Sequence, residues 1–283
     1  MKRAQIGNAA WGFRETPLER QLAVTRELGM RRLELSLAST PKDFIQLTAG
    51  AAEIERAKGW FAAHGVELAE GSVGNDFGQA DAAKNREQVD AMKKKIDLAH
   101  RLGIRSLRIF ASFAPAKEME GKRLEGMVAA LNAAGAHAKP LGITLAVETH
   151  GGVRKMGENR FIHSPSASTE AESVARWLPD CAENITLNFD PANLWAAGVR
   201  DVTGFYGRFA KRVSYAHLKD YVVEDRATGT VRPVGCGEGV LDWKPLMAAL
   251  KAFEGPVFIE YEPTEDVEDG CRRSIRFLET LVG

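Results

Sequence analysis

The 283-residue sequence has no surplus of positive charge: Lys plus Arg and Asp plus Glu both number 38. A nucleic-acid partner is therefore not expected, since phosphate backbones are met by basic patches. There are only three cysteines, Cys181, Cys236 and Cys271, far apart and without a C-x-x-C pair. That spacing excludes a disulfide framework and a zinc knuckle, and reads as reduced thiols in a cytoplasmic protein. No apolar run nears the ~20 residues of a membrane span, and no signal-peptide core follows Met1-Lys2-Arg3-Ala4-Gln5, so neither a membrane nor export is expected. The fingerprint G-x-G-x-x-G is missing after the first expected strand, which argues against a dinucleotide fold.

What is present is a rhythm. Hydrophobic residues make up 45% of the chain, enough for one large core, and the length suits a single domain over residues 1–283. Gly29, Gly65, Gly103 and Gly142 each close an amphipathic run and lead into a β-rich string, at spacings of 36, 38 and 39 residues. Glycine just past a helix end takes a left-handed backbone cheaply, so each marks a helix stop before a strand. Strands are expected at Gln5–Ala9, Arg32–Ser36, Val66–Ala69, Ile104–Phe110, Ile143–Val147, Ile185–Phe189, Val213–His217 and Pro256–Glu260. Helices fill the intervals, the fifth at Ser168–Leu178 with Ser166 or Ser168 as its N-cap. This even repeat favours an α/β fold closed as a (β/α)8 TIM barrel. Gly151–Pro165 and Tyr221–Asp242 are expected to be irregular loops at its C-terminal mouth.

At that mouth all strand ends converge, so residues distant in sequence become neighbours. Glu148, Asp190, His217 and Glu260 end strands five to eight, each after an apolar string. Carboxylates gathered there are costly to bury without a shared cation. Three carboxylates and an imidazole suit one divalent ion, Mn²⁺ foremost, with Mg²⁺, Co²⁺ or Zn²⁺ as alternatives. His150 lies two residues beyond Glu148, on the same face if the strand persists, as a general base or a loop-bonded histidine. Lys219 either reaches a substrate oxygen or pairs with Asp220 or Glu262; Arg108 and Glu34 either line the barrel or bridge its strands. Gly235–Gly239 lacks the Lys-Ser/Thr of a phosphate loop and reads as a tight turn.

Four stretches, Val147-Glu-Thr-His150, Asn188-Phe-Asp-Pro-Ala-Asn-Leu194, Ala216-His-Leu-Lys-Asp220 and Pro233-Val-Gly-Cys-Gly-Glu-Gly-Val-Leu-Asp-Trp243, resemble the xylose-isomerase-like TIM barrels. That family includes sugar isomerases and epimerases, keto-inositol dehydratases and endonuclease IV. The resemblance implies that Glu148, Asp190, His217 and Glu260 are metal ligands and that the two glutamates double as acid and base across a bound sugar. It implies a metal-dependent isomerase or epimerase working through an enediolate on a sugar or keto-polyol. The alternative is a dehydratase or lyase on a keto-inositol or 3-keto sugar, with His150 as an extra acid/base. Asn193 stands where the family's ketose 3-epimerases carry histidine, as a substrate hydrogen-bonder or a helix N-cap. Trp11, Asn75, Phe77 and Phe113 are candidates for a wall around the sugar ring, or for ordinary mouth packing. A DNA-repair endonuclease would need about three zincs, more histidines and a basic groove. A non-catalytic sugar-binding barrel would not need both glutamates. The expected partner is a small sugar or polyol, and a homo-oligomer is compatible with the sequence.

Overall fold

The computed structural model describes residues 1–282. In chain order it begins with β1 (Ile6–Ala9), α1 (Leu18–Glu27), β2 (Leu33–Ser36), α2 (Ala51–His64), β3 (Glu70–Ser72), α3 (Ala82–Leu102) and β4 (Ser106–Ile109). There follow α4 (Gly121–Ala138), β5 (Thr144–Glu148), β6 (Gly152–Gly157), β7 (Arg160–Ser164), α5 (Ala171–Trp177), β8 (Ile185–Phe189) and α6 (Pro191–Ala196). The chain continues through α7 (Val202–Phe209), β9 (Val213–Leu218), β10 (Asp220–Asp225), β11 (Thr230–Val234), α8 (Trp243–Ala249), β12 (Val257–Ile259) and α9 (Val267–Glu279). None of the described helices is long and apolar enough to cross a membrane.

Eight parallel strands close into a barrel in the order β1-β2-β3-β4-β5-β8-β9-β12, with β12 paired back to β1. This is the expected (β/α)8 architecture. The four helix-stop glycines have φ between 62° and 85°, a region an L side chain enters only with strain. Inside the barrel, Ala9, Ala146, Tyr215 and Phe258 form a separate buried cluster, Tyr215 stacked on Phe258 with ring centroids 5.1 Å apart. Strand side chains repeat every second residue, so the next inward positions are Glu148, His217 and Glu260. The plug therefore sets the floor on which the acidic site stands.

Three expectations are corrected. The third strand lies at Glu70–Ser72; within Val66–Ala69 only Glu67 makes an isolated bridge, to Arg32. The two mouth loops are ordered hairpins: β6 pairs with β7 and β10 with β11, and Val231 opposite Phe161 joins them into a sheet of order β10-β11-β7-β6. Helix α5 is preceded by Glu170, which makes no side-chain cap; the hydroxyls of Ser166 and Ser168 instead donate to the carbonyl of His150 at 2.6 and 3.2 Å. They brace the turn that follows β5.

Candidate metal centre and active site

Glu148 ends β5, Asp190 follows β8 and caps α6, His217 lies in β9, and Glu260 follows β12. One ligand atom from each lies within 4.8 Å of the others, and all four residues are buried. Asp190 divides its work: Oδ1 accepts the Asn193 backbone N–H at 2.8 Å, while Oδ2 has no hydrogen-bond partner. The Lys219 ammonium lies 3.2 Å from that Oδ2, near enough for charge attraction but misaligned for a hydrogen bond. His217 Nδ1 is also buried without a partner, 3.4 Å from Glu260 Oε1 and 3.8 Å from Glu148 Oε1. Orphaned atoms aimed at one point, from an oxygen-rich set with one imidazole, fit a divalent ion.

Charge balance points the same way. Among the described residues, the ion pairs of Glu34, Glu148, Asp190, Glu260 and Glu262 with permanent cations are those with Arg108 and Lys219. Burial pushes the Asp190 carboxyl up to about 7 despite Lys219 beside it. Burial and the Glu260 charge push Glu148 up too, but Arg108, with Nε 3.2 Å from Oε2, and His217 hold it below the ordinary carboxylate range. Glu260 is held well below that range, against burial, by Lys219 at 2.6 Å and by His217. His217 is raised well above its usual value because Glu260 and Glu34 outweigh its desolvation.

The other expected site residues divide into those that face the cavity and those that hold the site together. Trp11, Arg108, His150 and Lys219 line a cavity of about 500 Å³ onto which Glu148 and Glu260 also open, as does Phe113. Lys219 pairs with Glu260 and Glu262, not with Asp220. Asp220 is occupied elsewhere, accepting from the backbone of Tyr221, Gly239, Val240 and Leu241 and from Trp243 Nε1. Asn193 is neither a cavity wall nor a helix N-cap: its Nδ2 donates to Glu148 Oε1 at 2.9 Å and its Oδ1 accepts from the Tyr221 hydroxyl. Both amide atoms of Asn75 are bound to the Phe110 backbone, and Phe77 is fully buried in the core, so neither reaches a ligand.

Glu34, expected to line the barrel or to bridge its strands, does both, and His163 is a contributor that the sequence did not mark. Glu34 bonds His217 Nε2 at 2.8 Å. His163, in what reads as an irregular loop, lines the cavity beside His150, with ring centroids 6.1 Å apart. On the hairpin, Val153 and His163 face each other across the strands, as do Lys155 and Phe161; all four turn to the cavity. Because that inward set mixes Val153 and Phe161 with Lys155 and His163, no apolar alternation marks the hairpin in the sequence.

The model of the xylose isomerase-like TIM barrel family matches residues 22–281. This chain belongs to that family. No protein of curated function matches its sequence significantly. Among solved structures, it is similar to a probable 3-DHS dehydratase, AsbF, from Bacillus anthracis, with TM-score 0.77, 14% identity and 99% of each chain covered. An L-ribulose 3-epimerase gives TM-score 0.75 and 19% identity, covering 98% of this chain and 94% of the other. A xylose isomerase-like TIM barrel protein from Mycobacterium smegmatis, in complex with magnesium, gives 0.70 and 17%, covering 98% and 95%. At these identities the likeness is one of fold. This barrel carries asparagine at position 193 and ties it to Glu148.

Proposed function

We propose that the protein is a divalent-metal-dependent isomerase or epimerase of a sugar or sugar-like keto-polyol, with Glu148, Asp190, His217 and Glu260 as the metal ligands. The observation that carries this reading is that Glu148 and Glu260 both open onto one cavity while each is kept ionised by its own cation, Arg108 or Lys219. An ion in that ligand set would polarise a substrate carbonyl and acidify the adjacent C–H bond. Glu148 or Glu260, as a carboxylate, accepts that proton; the other carries one back to the neighbouring carbon or the opposite face. Lys219 and Arg108 hold the two carboxylates apart and orient them. Trp11 and Phe113 supply apolar faces for the C–H patches of a ring. Relatives of the same fold that are named as epimerases support the assignment, one of them in complex with D-allulose.

A second reading, elimination from a keto-inositol or 3-keto sugar, is favoured by His150. Its Nδ1 is bonded to the Gly151 carbonyl at 2.6 Å, and the other ring nitrogen has no protein partner in a cavity-lining ring. Burial holds this imidazole below its usual pKa, which keeps it a base. The similarity to a probable dehydratase agrees with this reading. The test is to incubate Mn²⁺-loaded protein in D₂O with aldoses, ketoses including D-allulose, and 3-keto sugars, and to follow products by mass spectrometry. An isomeric product carrying deuterium supports the first reading, and loss of water or an aglycone the second. Absence of exchange and of product across the panel would overturn both.

A further inference from the structure

We infer that Glu34 is a positioning residue for the metal centre, fixing which nitrogen of His217 is turned toward the other three ligands. The inference deepens the metal reading above and rests on it. Glu34 is in β2 and His217 in β9, with β1 and β12 between them in the barrel order, so their 2.8 Å bond crosses the barrel interior. Both side chains are fully buried. Because a carboxylate accepts and cannot donate, the bond requires a proton on Nε2. Nδ1 is then the nitrogen left for Glu148, Asp190 and Glu260, and it is the one without a hydrogen-bond partner.

A second donor locks the carboxylate itself. The Tyr215 hydroxyl, two residues before His217 on the same inward face, donates to the same Oε2 at 2.8 Å. Glu34 Oε1 has no partner. A merely structural role accounts poorly for this arrangement, because a buried ion pair is seldom more stable than well-packed apolar residues. Carboxylates that hold a ligating imidazole by its remote N–H typically set metal affinity, at roughly 10–100-fold per partner removed.

The experiment measures Mn²⁺ affinity of the full chain by electron paramagnetic resonance of the free ion, with no substrate present. Glu34→Gln keeps the side-chain volume and removes the charge; it should weaken Mn²⁺ binding roughly 10–100-fold. Tyr215→Phe, which removes the second donor to Glu34 Oε2 but leaves the Glu34–His217 Nε2 bond and the ring packing in place, should weaken it much less. Unchanged affinity in Glu34→Gln overturns the inference while leaving the metal reading intact; failure of the wild-type chain to bind Mn²⁺ overturns the metal reading and this inference with it. Should Glu34→Gln not fold, ¹⁵N-histidine spectra of the Mg²⁺-loaded wild type decide. A proton on His217 Nε2 with Nδ1 bare supports the inference, and the reverse pattern overturns it.

Discussion

Asn193 donates its Nδ2 proton to Glu148 Oε1 at 2.9 Å, and Arg108 approaches the other oxygen of the same carboxylate at 3.2 Å. A proposed proton carrier is thereby gripped from both sides. Rotation of the carboxylate away from the cavity would cost both contacts.

Removing that grip should be visible in stability. Asn193→Ala leaves the buried Glu148 Oε1 without its amide donor, while the Tyr221 hydroxyl keeps Glu262 Oε1 as its acceptor. Urea unfolding should show a loss of about 1–3 kcal/mol. Asn193→His has to fit a larger ring into a fully buried position and should cost a similar amount through overpacking.

Asp190→Asn should separate the two jobs of that residue. Asparagine caps helices as well as aspartate does, so the bond to the Asn193 N–H survives and α6 keeps its start. The charge is lost, so Mn²⁺ affinity should fall at least as far as the roughly 10–100-fold seen when a ligand's partner is removed. The melting temperature without metal should hold or rise, because the carboxyl no longer pays for its burial. Isothermal titration and a thermal melt on the same sample check both halves; equal Mn²⁺ affinity would remove Asp190 from the ligand set.

The catalytic roles have their own signature. Glu148→Gln should retain part of the metal binding and slow proton exchange by roughly 10²- to 10⁴-fold. His150→Ala should leave deuterium wash-in intact while product falls if the reaction is elimination, and lose both if His150 is the base. Full turnover in Glu148→Gln on a verified substrate would reject it as a proton carrier.

His163 makes stability depend on pH. Burial, with His150 and Lys219 nearby, lowers its pKa to about 3 from the ordinary 6.5, so the folded chain keeps it neutral. The unfolded chain binds a proton there below about 6.5, hence the contribution is complete above that value and is lost progressively as pH falls toward 3. His163→Phe should therefore flatten the fall in urea midpoint between pH 7 and pH 5. Parallel curves for variant and wild type would show that His163 does not titrate this way.

The barrel was legible because its signals are local. Each helix stop needs one glycine, and each of Glu148, Asp190, His217 and Glu260 sits at the end of its own apolar string, so the four strand ends can be picked out without knowing their partners. Glu34 is legible as a residue that lines the barrel or bridges its strands, but not as the partner of His217, 183 positions away. The hairpins were invisible for another reason. Gly152–Gly157 is mostly exposed and Arg160–Ser164 only partly buried, so neither presents the buried apolar run that marks the barrel strands. Lys219 could be paired correctly with Glu262 but not excluded from Asp220, because the loop amides that occupy Asp220 arrive from 19 to 21 residues downstream.

The sheet over the mouth ties together two loops that a (β/α)8 scaffold would otherwise let drift separately. Phe161 on one hairpin is in register with Val231 on the other, and the second hairpin begins at Asp220, directly after Lys219. An insertion of one residue in Gly152–Ser164 would flip Phe161 and His163 outward, and would also unseat the partner strand that leads back to Lys219. Transplanting a new specificity onto this barrel would thus require exchanging both hairpins as a matched pair, and libraries that randomise one alone should yield mostly chains that lose both.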